Sequence, residues 1–163
     1  MIDAQGPPFT PPSVPPGWDK LRAAPPLALW AAVRPGDQGE EQHHDFRANL
    51  VLTCDDATGM TFRDWQVATD AILPRTLADY LLIDLERLEI DGSPGGRRLA
   101  HHVDTAGRAL TMEQWFTLHD GRGWTLTATV ETWSYDGLAD ACADVARTWR
   151  PVSGTSAAED GDT

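Results

Sequence analysis

The sequence has little positive charge. Its 163 residues include 13 lysines and arginines against 25 aspartates and glutamates, which gives a formal net charge of −12, and Lys20 is the single lysine. Nucleic-acid-binding proteins need a basic patch that neutralises phosphates, and proteins that dock on anionic membranes need clustered lysine and arginine. The charge therefore argues against both classes of partner, and we expect no binding of nucleic acid.

Cysteines and long apolar runs are also scarce. No stretch approaches the roughly 18 apolar residues that a membrane-spanning helix needs, and the first residues lack the basic and apolar segments of a secretory signal. Cys54 and Cys142 are the only cysteines. Two cysteines predict ordinary thiols rather than a disulfide framework, although a bridge between them stays open. We expect no membrane span and a cytoplasmic location.

The composition divides the chain into three parts. Residues 1–16 hold six prolines and predict a disordered leader, because proline breaks helices and removes backbone donors. Residues 151–163 are small, polar and acidic, and predict a disordered tail. Residues 17–150 are long enough to form one domain with its own core.

Strand and helix patterns alternate along that domain. Short apolar runs separated by glycine- and aspartate-rich turns predict an antiparallel meander over residues 82–131. Helical spacing of apolar residues follows Thr61, and a second amphipathic stripe runs from Leu138 to Trp149. The sequence therefore predicts an α+β sandwich built on an antiparallel sheet.

The last hairpin of the meander permits a prediction of register. Leu110, Met112, Phe116 and Leu118 share one side of their strand, and Trp124, Leu126, Ala128 and Val130 share one side of the next. Placing both sets on the same face requires a three- or five-residue loop, with Gly121 or Gly123 in a left-handed conformation. This register excludes a two-residue turn.

The histidines form the one sequence pattern whose side chains could act as metal ligands. In a strand His102 and Asp104 share a face while His101 points away, and catalytic zinc normally needs three protein ligands. The sequence has no His-Glu-x-x-His motif, no Cys-x-x-Cys motif and no Gly-x-Ser-x-Gly motif. We therefore expect no enzyme, metal or cofactor, and keep a small metal-dependent enzyme using His101, His102 and Asp104 as an alternative.

Three of the seven tryptophans are candidates for a binding site. Trp65, Trp124 and Trp149 fall on apolar stripes and are expected in the core. Trp30, Trp115 and Trp133 are not clearly directed inward, and Trp30 alternates out of phase with its apolar neighbours. Partly exposed aromatic side chains frequently anchor interfaces and ligand pockets. Burial under a helix is the alternative for the same side chains.

Several short motifs follow one another across residues 15–150. They are Pro15-Pro16-Gly17-Trp18, Asn49-Leu50-Val51-Leu52-Thr53, Ile90-Asp91-Gly92-Ser93-Pro94 with Arg97-Arg98, Gln114-Trp115-Phe116, Thr125-Leu126-Thr127-Ala128-Thr129 and the closing helix. In this order they resemble the LpqN family of actinobacterial lipoproteins and, more distantly, the DcrB-like proteins. The resemblance implies the PsbP-like fold, an α/β/α sandwich in which an antiparallel β-sheet of about six to seven strands is flanked by helices on both sides. LpqN-type lipoproteins carry a signal peptide and a lipidated cysteine, which the start of this sequence lacks.

Members with that fold are mostly accessory, adaptor or chaperone-like proteins, so the resemblance implies a non-catalytic role. We therefore expect a small binding or adaptor protein that recognises a protein partner or an apolar small ligand through a sheet face or a sheet–helix groove. A chaperone-like partner of a secreted protein is the alternative of the same kind. A homodimer is also left open.

Overall fold

Two α-helices and nine strands form within residues 6–36 and 46–154, which are the residues that the computed structural model describes. The strands are β1 (Phe9–Thr10), β2 (Asp19–Lys20), β3 (Ala28–Val33), β4 (Asn49–Asp56), β5 (Ala78–Ile90), β6 (Ser93–Val103), β7 (Ala109–His119), β8 (Arg122–Glu131) and β9 (Arg150–Pro151), and the helices are α1 (Phe62–Thr76) and α2 (Tyr135–Ala146).

Seven of these strands form one sheet in the order β2-β3-β4-β8-β7-β6-β5. Each neighbouring pair is antiparallel, and β1 and β9 form a separate two-stranded ribbon. The predicted α+β fold with an antiparallel sheet of six to seven strands is confirmed.

Each face of the sheet is covered by one helix. Trp115 packs in the larger core with Cys142 and Val145 of α2, and the next residue, Phe116, packs in a second cluster with Trp65 of α1. Successive strand residues point to opposite faces, so the two helices lie on opposite sides of the sheet. We call these the α2 face and the α1 face.

The start of α1 and the buried stripe of α2 match their sequence patterns. The backbone N–H of Asp64 donates to Oγ1 of Thr61 at 3.2 Å, and the Thr61 hydroxyl donates back to the Asp64 carboxylate at 2.8 Å, which closes a capping box before α1. The apolar stripe of α2 buries Cys142, Val145 and Ala146. Neither helix of the described chain is long and apolar enough to cross a membrane.

The predicted register of the β7–β8 hairpin is wrong. Thr117 lies opposite Trp124, so even positions of one strand face odd positions of the other. Asp120 and Gly121 form a two-residue turn with φ of 50° and 68°, which is the backbone of a type I′ turn. The prediction assumed one apolar face, whereas β7 is buried on both faces from residue 110 to 117.

The described part of the predicted leader, residues 6–16, packs against the domain. Phe9 pairs with Pro151 between β1 and β9, and its ring centroid lies 5.9 Å from that of Trp124. Pro12 and Pro15 are buried. The disorder predicted for residues 6–16 is therefore corrected, because these apolar side chains close one end of the core. Residues 1–5, and residues 155–163 of the predicted tail, lie outside the described residues.

Candidate binding groove

A groove of about 560 Å³ opens on the α2 face, between the end of α2 and the edge of the sheet formed by β5, β6 and β7. Its lining combines apolar side chains with three arginines and two carboxylates. The lining residues are Leu88, Glu89, Ile90, Asp91, Arg97, Trp115, Ala143, Ala146, Arg147, Trp149 and Arg150.

Two tryptophans form the apolar base of the groove. Trp115 comes from β7, which places it on the α2 face, and it is 7% exposed. Trp149 follows α2 and is 2% exposed. Its indole Nε1 is buried and has no hydrogen-bond acceptor among the described residues. A buried indole N–H usually has an acceptor, so this donor is an exception.

Arg97 is the basic group at the base of the groove. Its Nε donates to the Glu113 carboxylate at 2.5 Å, and Nη1 lies 3.2 Å from Asp84 and 3.3 Å from Glu86. Burial opposes its charge, but the hydrogen bond and the attraction of Glu113 outweigh that effect and raise the pKa of Arg97. The guanidinium is therefore permanently charged and fixed in place.

A tyrosine completes the polar cluster around Glu113. The hydroxyl of Tyr135 donates to Oε2 of Glu113 at 2.9 Å, so the buried carboxylate has a donor on each oxygen. Burial and the bond to Glu113 raise the pKa of Tyr135 to about 12. This cluster ties the start of α2 to the sheet and holds the helix over one half of the α2 face.

Two further arginines line the groove near its mouth. Arg147 donates to the Asp144 carboxylate at 2.5 Å, and both side chains are more than 70% exposed. The side chain of Arg150 forms no ion pair with any residue in the described ranges. The lining residues alone, three arginines with Glu89 and Asp91, sum to a formal charge of +1. Carboxylates outside the lining pair with Arg97 and Arg147, so Arg150 is the lining arginine without an ion pair in the described ranges.

The structure places the three predicted tryptophans in three different environments. Trp115 is buried in the larger core under α2, as the burial alternative predicted, and it also lines the groove. Trp30 is 3% exposed inside the larger core, so the prediction that it is a contact residue is wrong. Trp133 is 81% exposed on the short turn before α2 and does not line the groove.

The irregular backbone of β3 explains the position of Trp30. Ala28 lies opposite Thr53 but Trp30 lies opposite Leu52, so Leu29 is an extra residue in the strand. Such a bulge shifts the alternation by one position and turns Trp30 toward the α2 face. This bulge explains why Trp30 alternates out of phase with the apolar residues beside it in the sequence.

The histidine alternative is not assembled in the described residues. His101 lies opposite Thr111 and His102 opposite Leu110, so the two rings are on opposite faces. The Asp104 carboxylate caps its own turn by accepting the backbone N–H groups of Ala106 and Arg108 at 2.9 Å and the Arg108 side chain at 2.7 Å. No group of three metal-ligating side chains is present in the described ranges.

Both cysteines are free thiols. Cys142 lies on the buried stripe of α2, and burial raises its pKa to about 12. Burial also raises the pKa of Cys54. The bridge that the sequence left open is therefore not formed.

The groove residues that the sequence did not identify are the arginines. In the sequence Arg97 stands out only as part of a motif, and no pattern singles out Arg147 or Arg150. Each lies in a different element of the fold, and their proximity depends on the β6–β7 register and on the position of α2.

The fold defines a class of protein: an antiparallel sheet covered by a helix on each face. Solved structures share this fold. LpqN of Mycobacterium tuberculosis, described as involved in cell envelope biogenesis, matches with a TM-score of 0.69 and 15% identity over 93% of this chain and 87% of its own.

Two further structures extend the comparison. PA94 of Pseudomonas aeruginosa, a protein of unknown function, matches with a TM-score of 0.64 and 18% identity over 94% of this chain and 90% of its own. The cyanobacterial PsbP of Synechocystis matches with a TM-score of 0.52 and 16% identity over 85% of this chain and 84% of its own. No protein-family model and no curated protein sequence matches this chain. The comparisons establish the LpqN-like and PsbP-like fold.

Proposed function

We propose that the protein is a non-catalytic binding protein whose site is the groove beside α2. The observation that supports this proposal is the cavity of about 560 Å³ with a base formed by Trp115 and Trp149. Ligand sites typically enclose about 300–1,000 Å³ and combine an apolar lining with a few fixed polar groups. The occupant is an apolar group, presented by a small ligand or by a partner protein.

The polar groups of the groove support binding rather than catalysis. Arg97 is fixed by Glu113, and Arg147 and Arg150 lie at the mouth. Among the lining residues there is no serine, cysteine, histidine or lysine to act as a nucleophile. LpqN, which shares this fold, is described as involved in cell envelope biogenesis. That likeness is compatible with a binding role and names no partner.

The free edge of β5 supports a second candidate, a chaperone-like or self-associating protein. Leu81, Leu82, Ile83 and Leu85 are 38–58% exposed along this 13-residue edge strand. An exposed apolar edge can pair with a strand of another chain. The bulge between Leu82 and Asp84 and the acidic residues of β5 weaken such pairing, so we favour the groove.

The substitution Ala143→Gln tests the groove as the binding site. Ala143 lines the groove from α2, so a glutamine fills it, whereas Ala139→Gln changes the same helix one turn earlier at a residue that does not line the groove. Native mass spectrometry of the protein purified from its own cells measures any bound molecule. We expect a bound species on the wild type and on Ala139→Gln, and at least a tenfold lower occupancy on Ala143→Gln.

Thermal unfolding of both variants provides the control for folding. Glutamine is a good helix former, so α2 should remain helical in both variants, and both should unfold near the wild-type temperature. A bound species that is equally abundant on Ala143→Gln and on Ala139→Gln contradicts the proposal.

A further inference from the structure

We infer that the ligand of the groove is a small molecule with an alkyl or aryl body and one carboxylate. This inference rests on the proposed function, because it assigns a ligand chemistry to the same groove. It follows from three features: the excess of hydrogen-bond donors, the apolar base and the size of the cavity.

The groove-lining guanidinium groups that lack a strong internal partner are donors. Arg150 has no ion-pair partner in the described part of the chain, and Arg147 pairs only with the exposed Asp144. An exposed ion pair contributes little and is readily exchanged for a better partner. A carboxylate supplies two acceptor oxygens and pairs well with arginine.

The apolar base requires an apolar body next to that carboxylate. Trp115, Trp149, Leu88 and Ile90 line the same cavity, and burying apolar surface against them is favourable in proportion to the area removed from water. A phosphate or a sugar would leave this surface uncovered. The formal charge of −12 on the chain also disfavours polyanions, whose approach it opposes at long range.

The dimensions of the cavity favour a small molecule over a protein surface. A volume of about 560 Å³ accommodates a ligand of drug size. A stable protein interface buries about 800 Å² on each partner, which exceeds what one groove of this size offers. The carboxylate of a small amphiphile therefore fits both the volume and the charge of the groove.

Binding of three straight-chain amphiphiles tests the inference. Decanoate, decan-1-ol and decyltrimethylammonium carry unbranched alkyl chains of nine or ten carbons and differ mainly in the polar group, and each is titrated below its micellar concentration while tryptophan fluorescence is measured. We expect decanoate to bind about tenfold more tightly than decan-1-ol, because a hydrogen bond to a charged group contributes enough for roughly a tenfold change in affinity. The cation should bind most weakly.

Variants of two arginines test which guanidinium pairs with the carboxylate of decanoate. Arg150→Gln should weaken decanoate about tenfold and leave decan-1-ol within about twofold, because only the carboxylate pairs with the guanidinium. Arg75→Gln changes an arginine in the last turn of α1, on the opposite face of the sheet, and should change neither affinity.

The outcomes separate this inference from the proposed function. If decanoate and decan-1-ol bind with equal affinity and Ala143→Gln abolishes the binding of both, the inference of a carboxylate ligand is wrong. The groove is then still the binding site. Decanoate binding that Arg150→Gln does not change also overturns the inference. If none of the three probes binds, the inference fails, and native mass spectrometry of Ala143→Gln still decides the proposed function on its own.

Discussion

Replacing Gly123 with alanine is expected to lower the free energy of unfolding by about 3 kcal/mol, the upper end of the usual cost of overpacking a core. Gly123 lies on the α1 face of β8, opposite Leu118. A Cβ added there would lie 2.5 Å from Nε1 of Trp65 and still closer to its ring carbons. Trp65 is 6% exposed and is held between Phe62 and Phe116, so it has no space into which to move.

The matched control is Gly137→Ala on α2. A Cβ at Gly137 meets no atom within 4 Å, and alanine is the better helix former by roughly 1 kcal/mol. Urea unfolding should therefore show a lower midpoint for Gly123→Ala and an unchanged or higher midpoint for Gly137→Ala, with equal slopes. A midpoint for Gly123→Ala within error of the wild type would show that α1 does not pack on β8 as described.

Removing the carboxylate of Asp70 is expected to cost about 3 kcal/mol, because it leaves the buried guanidinium of Arg98 without a counter-ion. Arg98 is 1% exposed on the α1 face. It donates to the Asp70 carboxylate and, at 2.6 Å, to Oε1 of Gln114, and its Cζ lies 4.8 Å from the centre of the Phe116 ring. Neither Gln114 nor Phe116 provides the formal negative charge that Asp70 supplies.

A double variant separates the buried charge from a general loss of packing. Asp70→Ala combined with Arg98→Met removes the charge together with its partner, and should recover about half of the lost stability, since apolar replacements of buried ion pairs are often neutral. Asp140→Asn on the exposed side of α2 should change stability by less than about 0.5 kcal/mol. A double variant no more stable than Asp70→Ala would show that the buried charge is not the cause.

Much of the fold could be predicted from local patterns. The stripe of α2 is apolar on one side only, and the capping box at Thr61 begins α1 where the structure has it. The turns around Gly92, Gly107 and Gly121 have positive φ, so their glycines correctly indicated the ends of strands. These features depend on neighbouring residues, which the sequence shows directly.

The register of β7 and the burial of its two faces could not be predicted from such local patterns. Thr111, Glu113 and Thr117 are buried on β7 although they are polar, because the α2 face needs hydrogen-bonded side chains as well as apolar ones. A strand buried on both faces gives no alternation that fixes the register. Gly123 illustrates the consequence: the sequence suggested a left-handed loop residue, whereas its role is to leave space for Trp65.

The groove could be predicted only in part. Trp115 was identified because it lies among polar strand residues. Trp30 was misassigned, since a one-residue bulge cannot be seen in an alternation pattern. The arginines of the groove come from β6, from the residue after α2 and from β9, and no spacing rule connects Arg97 with Arg147 and Arg150, about 50 residues further along the chain.

Hydrogen–deuterium exchange tests the groove as the binding site most directly. The protein as purified from its own cells is compared with the same protein after extraction of bound molecules. If the groove is the binding site, amide exchange should be slower in the bound sample at residues 88–91 and 143–150. It should not change in α1 or at residues 81–85 of β5. Slower exchange confined to α1 or to residues 81–85 would contradict it and place the site on the exposed apolar edge of the sheet.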